Sequence, residues 1–488
     1  MDFTRKGFLG TLAAVGLTGA SRPSPADRAA VRPSGPPRLR FGVLSDIHVT
    51  DAAATAPFEA VLRELDDWGA DGVMVCGDLS DYGVVPQLEE IGKAWFRAFP
   101  GGRGRDGRPI ANLMHFGDHD TNGFTWRNCK ACVAMYPDEA EMRKLLIAAN
   151  DRKAAWERIF GEEWSPILHR RVRGYDFVLA NFTREHREIN PLGDCTPGLG
   201  EFLAELKPDP GRPFFYSQHR IFRNTVCGPH AWGQDDGSAG RILSEHYPNA
   251  IAFCGHGHYS AMCELNVWQG GFTAFQVPSL RYCTAFGGRE NASGSSGIPS
   301  RPYAMRAMDG GQGRDFTRQG YLVEVFDNCM VVKRREFKRG VSLGPDWIVP
   351  FPACAGRPYA PEARARTVPA PEFPAGAKAA VRSVRAKDRD GTERKMFEVS
   401  FPLADAKSPV ANDYEIRVEH VNGDVANAVS SRRYYPGNYF YGLRDDLREV
   451  VCRLPESDVP EGAEGRLVIT PLTAFGRRGE PLVLRLPC

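Results

Sequence analysis

Little in this sequence stands out by excess. Its 62 lysines and arginines are set against 60 aspartates and glutamates, a net charge of +2. No basic field therefore marks the chain for nucleic acid. Cysteine is thin, 12 in 488 residues, which is too dilute for a small disulfide scaffold. After residue 20 there is no apolar run approaching the about 20 residues that a membrane-spanning helix needs. With 42% hydrophobic and 25% charged residues, a disordered, collagen-like or membrane-bundle chain is excluded. The length alone allows two to four domains at about 150 residues each. What is present is mostly turn chemistry, with 51 glycines and 37 prolines, favouring loops and strands over long helices. The 11 histidines are unevenly placed, ten of them at or before position 258.

The N-terminus has the layout of a removable export signal: Arg5 and Lys6, an apolar Gly- and Ala-rich stretch from Phe8 to Ala20, and small residues at Thr18, Gly19 and Ala20. Thr4-Arg5-Lys6-Gly7-Phe8-Leu9-Gly10 resembles a twin-arginine signal, with Lys6 where a second Arg is usual, so the general secretory route stays open. Residues 1–20 are expected to be removed and 21–37 to form a flexible leader. The mature protein is expected to be soluble and periplasmic or secreted.

From Leu39 a strand–helix rhythm begins. Arg40 to Leu44, Val73 to Cys76 and Ile110 to Phe116 read as buried strands. Pro57 with Phe58, Val61, Leu62, Leu65 and Trp68, and then Leu88, Ile91 and Trp95, read as amphipathic crossover helices. Crossovers of this kind imply a parallel sheet, whose ligands sit beyond the carboxyl ends of the strands. Those ends run into Ser45-Asp46-Ile47-His48, Gly77-Asp78-Leu79-Ser80-Asp81 and Gly117-Asp118-His119-Asp120. Two later strands, Phe214 to Ser217 and Ile251 to Cys254, run into Gln218-His219 and Gly255-His256-Gly257-His258. Any one of these is a weak signal. Five strand ends in a row that carry carboxylate or imidazole are not.

This series, D-x-H, G-D, G-D-H-D, a lone H and G-H-G-H, resembles the calcineurin-like metallophosphoesterase superfamily over roughly Leu39 to Phe337. The resemblance implies an α/β domain over 38–350, a four-layer αββα sandwich of two mixed sheets between helices. It implies two metal ions, divalent or mixed-valence, Mn, Fe or Zn. Asp46, His48 and His258 would hold the first and Asp118, His219 and His256 the second, with Asp78 bridging both. His119 would protonate the leaving group, and Asp81 would orient it, with Asp120 as the competitor for that role. Mixed imidazole and carboxylate donors suit these metals on chemical grounds too. A bridging hydroxide between two such ions can attack phosphorus in line. The chain departs from the family at Asp118, where Asn is usual, and around His219, where Ser217-Gln218-His219-Arg220 lacks the common His-His-Pro. The added carboxylate tilts the expectation toward a diester. Tyr82 follows Asp78 by four residues rather than the three of the tyrosine-ligated purple acid phosphatases, so it is not read as a ligand.

Met142 to Ile159 reads as a covering helix, Cys129 and Cys132 as a lone C-x-x-C pair, Gly287 to Arg318 as a long loop carrying Arg301 and Arg306, and Gly320 to Phe337 as a hairpin. Residues 351–377, rich in Pro and Ala, read as a semi-rigid linker. Beyond it, 378–488 reads as an all-β sandwich, with strands at Met396 to Phe401, Tyr414 to His420, Glu449 to Leu454, Arg466 to Leu472 and Pro481 to Leu486. Thr470 to Gly476 resembles the late strands of a fibronectin type III-like domain. The expected function is an exported dinuclear-metal phosphoric ester hydrolase acting on a small phosphate diester or monoester. The C-terminal domain is a possible surface for glycan or protein. A surface binding protein with a vestigial metal site, and a nuclease on the same scaffold, are the alternatives.

Overall fold

The structure is a computed structural model that describes residues 31–122, 138, 140, 152–183, 198–229, 231–284, 317–387, 392–404, 413–422, 425–436, 449–458 and 464–486. The expected export signal, Cys129 and Cys132, the first part of the Met142–Ile159 helix, Arg301 and Arg306 lie outside the described residues.

In chain order the first layers are built from β1 (Leu39–Leu44), α1 (Ala56–Trp68), β2 (Gly72–Cys76), α2 (Val85–Ala98), β3 (Ala111–His115), α3 (His119–Asn122) and α4 (Arg152–Phe160). There follow β4 (Ile167–Val172), β5 (Tyr175–Ala180), α5 (Leu199–Leu206), β6 (Phe215–Gln218), α6 (Ser238–His246), β7 (Ile251–Cys254), β8 (Val267–Gln269) and β9 (Thr273–Gln276). Then come β10 (Gln319–Val325), β11 (Cys329–Glu336), β12 (Val341–Ser342) and β13 (Trp347–Pro350). The first sheet has the order β12-β11-β10-β1-β2-β3, with β13 also on β11; the second has the order β4-β5-β6-β7-β9-β8. Both are mixed: β1, β2 and β3 run parallel, as do β5, β6, β7 and β9, while β10 returns antiparallel beside β1.

The two sheets pack face to face. Phe41 of β1 meets the rings of Phe177, Phe215 and Phe253 from the second sheet, at centroid separations of 5.2, 5.0 and 6.1 Å. Neighbouring residues on these strands point oppositely, and both faces are covered. Met74 and Cys76 join the core between the sheets, while Val73 and Val75 pack with Phe58, Leu62, Leu88, Ile91 and Trp95 of the first helical layer. That is why β2 reads as a continuous apolar run rather than an alternating one. On the far side Val178, Tyr216 and Ala252 pack with Leu199, Leu203 and Leu243 of α5 and α6. The result is the expected α/β architecture of two central mixed sheets between helices.

The C-terminal part contains β14 (Ala380–Lys387), β15 (Glu393–Pro402), β16 (Asp413–Asn422), β17 (Val425–Tyr434), β18 (Glu449–Pro455), β19 (Glu464–Leu472) and β20 (Leu482–Arg485). They form two antiparallel sheets, β14-β15-β18 and β17-β16-β19-β20. Val399, Phe401, Tyr414, Ile416, Val418, Cys452, Leu454, Leu467 and Ile469 fill the space between. Two strands the sequence pattern does not announce, β14 and β17, sit at sheet edges. Arg382, Arg385 and Lys387, and Arg432 and Arg433, break any apolar alternation there, as charges on edge strands commonly do.

The linker is more structured than its composition suggests. Pro361 opens a short helix, α7 (Pro361–Thr367), whose Arg364 is buried. Arg364 donates through Nη2 to Glu264 Oε2 and through Nη1 to the Glu264 carbonyl at 2.6 Å. Its guanidinium also lies over the Phe475 ring at 4.3 Å. Arg334 Nη1 reaches the other Glu264 oxygen at 2.7 Å. Glu264 follows the G-H-G-H segment by six residues, so this knot ties the linker and the C-terminal sheets to the core of the α/β domain. A buried carboxylate that loses a charged partner costs about 3–5 kcal/mol, so Arg364→Ala, with Arg334 still in place, should destabilise by about 3 kcal/mol. Urea unfolding checks this; a loss below about 1 kcal/mol would show that Arg364 is a surface ornament.

Candidate metal centre

The strand ends deliver their side chains because the chain turns sharply there. Five of the seven expected ligands, Asp46, His48, Asp78, His256 and His258, have φ between 44° and 66°. Non-glycine residues adopt this region at a cost of order 1–3 kcal/mol each, and such strain concentrates at functional sites. The intervening glycines are dictated by crowding. At Gly117 a β-carbon would stand 2.2 Å from Asp78 Oδ1, and at Gly77 (φ 84°) 2.5 Å from His219 Nδ1.

The structure brings the seven into two buried clusters that share Asp78: Asp46, His48, Asp78 and His258, and Asp78, Asp118, His219 and His256. Asp78 faces both. Its Oδ1 is 3.2 Å from His219 Nε2 and its Oδ2 is 3.7 Å from His48 Nε2. In the first cluster His258 Nε2 is 3.0 Å from Asp46 Oδ1 and 3.3 Å from His48 Nε2. In the second, His219 Nε2 is 3.2 Å from Asp118 Oδ1 and 3.1 Å from His256 Nδ1. Asp46 Oδ1 and Asp118 Oδ1 are buried, and apart from the cluster imidazoles neither meets a hydrogen-bond donor. Buried acceptors of this kind are costly unless something positive meets them. Imidazole nitrogens and carboxylate oxygens converging on two points, with those two oxygens otherwise unsatisfied, fit a pair of divalent cations.

Outer partners fix the rings. His219 Nδ1 bonds the Cys76 carbonyl at 2.8 Å, His258 Nδ1 the Tyr282 carbonyl at 3.2 Å, and His48 Nδ1 lies 3.0 Å from Asp81 Oδ1. Each leaves Nε2 to face its cluster, the usual way a ligand imidazole is oriented. His256 is reversed and presents Nδ1. Asp46 Oδ2 accepts from Ser45 Oγ and from the His256 amide. Burial disfavours the Asp118 carboxylate, but His256 and His219 outweigh it and hold the group well below the usual range. His219, against the pull of burial, is held well above the ordinary histidine range by Asp78 and Asp118.

His119 belongs to neither pair. Its Nδ1 bonds the Asp81 carbonyl at 2.9 Å, its Nε2 is 3.9 Å from Asp78 Oδ2, and its side chain is partly exposed at 17%. Burial would lower its pKa, but Asp78, Asp118 and Asp81 prevail and raise it to about 9. It thus sits at the rim of the clusters, beside Asp78 and Asp81. Asp81 reaches it through the main-chain carbonyl, and the Asp81 carboxylate Oδ1 lies 3.0 Å from His48 Nδ1 and 3.7 Å from His119 Nδ1. Asp120, the competitor for that role, does something else. It accepts from the amides of Leu79, Ser80 and Gly117 at 3.0, 2.7 and 2.8 Å, which clamps the second and third loops together.

Several contributors have no sequence signal of their own. Ser45, Tyr282 and Trp232 touch the ligands, and Trp232 stacks on His256 at 4.3 Å with 11° between the planes. His115 lies buried beneath the site, bonded to Ser217 Oγ at 2.7 Å and kept neutral by burial, with a pKa of about 3. It faces the hydroxyl rather than the clusters.

Residues 39–260 match the family of calcineurin-like phosphoesterases. The match stops short of β10 and β11, although these complete the same sheet. No curated protein matches. Similar solved structures include a conserved uncharacterized protein of Streptococcus pneumoniae TIGR4, described as a predicted phosphoesterase, at 11% identity, covering 64% of this chain and 97% of that one with a TM-score of 0.26. GAP50, the anchor in the inner membrane complex of Plasmodium, aligns at 12% identity over 64% and 87% with a TM-score of 0.33. Vps29 from Entamoeba histolytica, complexed with zinc, aligns at 11% identity over 64% and 99% with a TM-score of 0.26. Family match, sheet order and ligand clusters agree: residues 39–260 form a calcineurin-like metallophosphoesterase domain.

Proposed function

We propose that this chain is an exported metal-dependent phosphoesterase that hydrolyses small phosphate diesters, or monoesters, with His119 as general acid. The observation that carries the reading is the pair of buried His/Asp clusters sharing Asp78, with His119 at their edge. Two divalent cations bound there would activate water as a nucleophile and neutralise charge on the phosphoryl oxygens. The protein's own part is to hold the seven donors, to place Asp78 between the clusters and to keep a proton at His119 Nε2 for the departing oxygen. Three carboxylates in the centre, Asp46, Asp78 and Asp118, favour a singly charged diester over a doubly charged monoester.

Export rests on the charged and apolar N-terminal pattern; among the described residues no helix is long and apolar enough to cross a membrane. The three-plus-four strand order of the C-terminal sheets supports the fibronectin type III-like reading, with a glycan or protein as partner. The vestigial-site alternative is disfavoured by the full donor set, and the nuclease alternative by the balanced charge. The test is to purify the mature chain, measure bound metal, and follow bis-p-nitrophenyl phosphate and p-nitrophenyl phosphate with and without Mn. Faster diester turnover is expected. No turnover of either ester by protein carrying two metals would overturn the reading.

A further inference from the structure

We propose that Trp232 is a stacking platform beside the metal centre, and that the substrate class therefore carries a planar aromatic group, such as a nucleobase, next to its phosphate. This deepens the phosphoesterase reading and rests on it.

Trp232 has 49% of its surface exposed; among the described residues the other exposed large apolar side chains are four valines and Phe96. Trp232 lies parallel on His256 at 4.3 Å, and His256 turns Nδ1 into the second cluster. One indole face is therefore spent on a ligand ring. Among the described residues no other ring stacks on it. A group held on its free surface would be one side chain away from the second cluster.

The platform is built rather than incidental. The Trp232 amide donates to the hydroxyl of buried Tyr259 at 3.1 Å. Gly233, at φ 73°, presses so close to His256 that a β-carbon would lie 2.0 Å from its Cδ2. Gln234 Nε2 donates to the carbonyls of Pro229 and Ala231, each at 3.0 Å. Buried Asp235 accepts from Gln218 Nε2, from the Arg223 amide, both at 2.8 Å, and from the Gly237 amide at 3.0 Å. Gln218 immediately precedes the ligand His219, so the Trp232 loop and the second cluster share one scaffold. Such pre-organisation removes most of the ordering cost of binding. Covering His256 would need only one indole face; a fixed, exposed aromatic surface at this place is what base stacking uses.

The test is calorimetry on the full, Mn-loaded chain with adenosine monophosphate and with ribose 5-phosphate, which share sugar and phosphate and differ by the base. Wild type should bind the nucleotide about tenfold more tightly, the span expected of one base stacked on one aromatic ring. Trp232→Ala should erase that advantage with bound metal unchanged, and Trp232→Phe should keep most of it. Equal affinity of wild type for the two ligands would overturn the proposal. So would a Trp232→Ala protein that loses metal and weakens on both ligands alike, since Trp232 would then serve only to pack His256. If both nitrophenyl esters resist a protein that shows the base advantage, the phosphoesterase reading fails and the platform stands. Turnover without a base advantage means the reverse.

Discussion

Replacing Asp78 by asparagine should strip the centre of metal and of turnover together. Asp78 is the one residue that belongs to both clusters, with one oxygen toward His219 and the other toward His48. Burial on its own would raise its pKa, but His219 and His119 draw it below the ordinary carboxylate value, so it is ionised throughout the working range. An amide keeps the shape, offers one acceptor and turns an N–H toward an imidazole. It also removes the charge that compensates two cations. Losing an outer partner of a metal ligand costs roughly 10–100-fold in affinity or activity, and losing the shared ligand should exceed that. Elemental analysis should fall from two metals per chain to one or none, with circular dichroism unchanged because the sheets do not depend on this carboxylate. Asp78→Asn protein that keeps two metals and a tenth of wild-type turnover would show that Asp78 does not bridge.

The central strands were legible because both of their faces are buried, so β1, β2, β3, β6 and β7 appear as short apolar runs ending in Gly, Asp or His. The convergence of the seven Asp and His side chains was legible for a related reason. Sheets converge their carboxyl ends, and chemistry-bearing residues at five such ends have few structural uses in common. What was hidden depends on tertiary neighbours. β4 and β14 lie at sheet edges and bury too little for a pattern. α7 is stabilised by Arg364 meeting Glu264, about a hundred residues earlier in the chain, and nothing in a Pro- and Ala-rich segment announces that partner. The spacing of Asp78 and Asp81 pointed to a residue near His119. It could not tell that the main-chain carbonyl would bond His119, or that the carboxylate would lie between His48 and His119. Trp232 carries no motif at all. Its place over His256 follows from the Gly233 turn and from the Asp235 and Gln218 contact, both properties of the folded loop.

His119→Gln should lower turnover by about 10²–10⁴-fold, the usual worth of a general acid, while leaving both metals in place. Metal retention is the discriminating readout, because His119 meets the clusters at their edge, 3.9 Å from Asp78 Oδ2 and edge-on to the His48 ring at 4.6 Å. The pH profile adds a second. As the proposed general acid His119 would act in its protonated form, and its pKa is raised to about 9 by Asp78, Asp118 and Asp81 working against burial. A raised histidine pKa means the acid form persists through neutrality and is lost as pH rises. Two cations held by the clusters would oppose those carboxylates, so the falling limb of kcat is expected between the ordinary value of about 6.5 and about 9. In His119→Gln that limb should vanish, leaving a flat profile on the alkaline side. The loss should also depend on the leaving group. Nitrophenolate departs with little help from a proton, so p-nitrophenyl esters should suffer least and alkyl esters most. An equal loss for both classes, or an alkaline limb that survives the substitution, would take the proton away from His119 and leave the ring as a packing neighbour of His48.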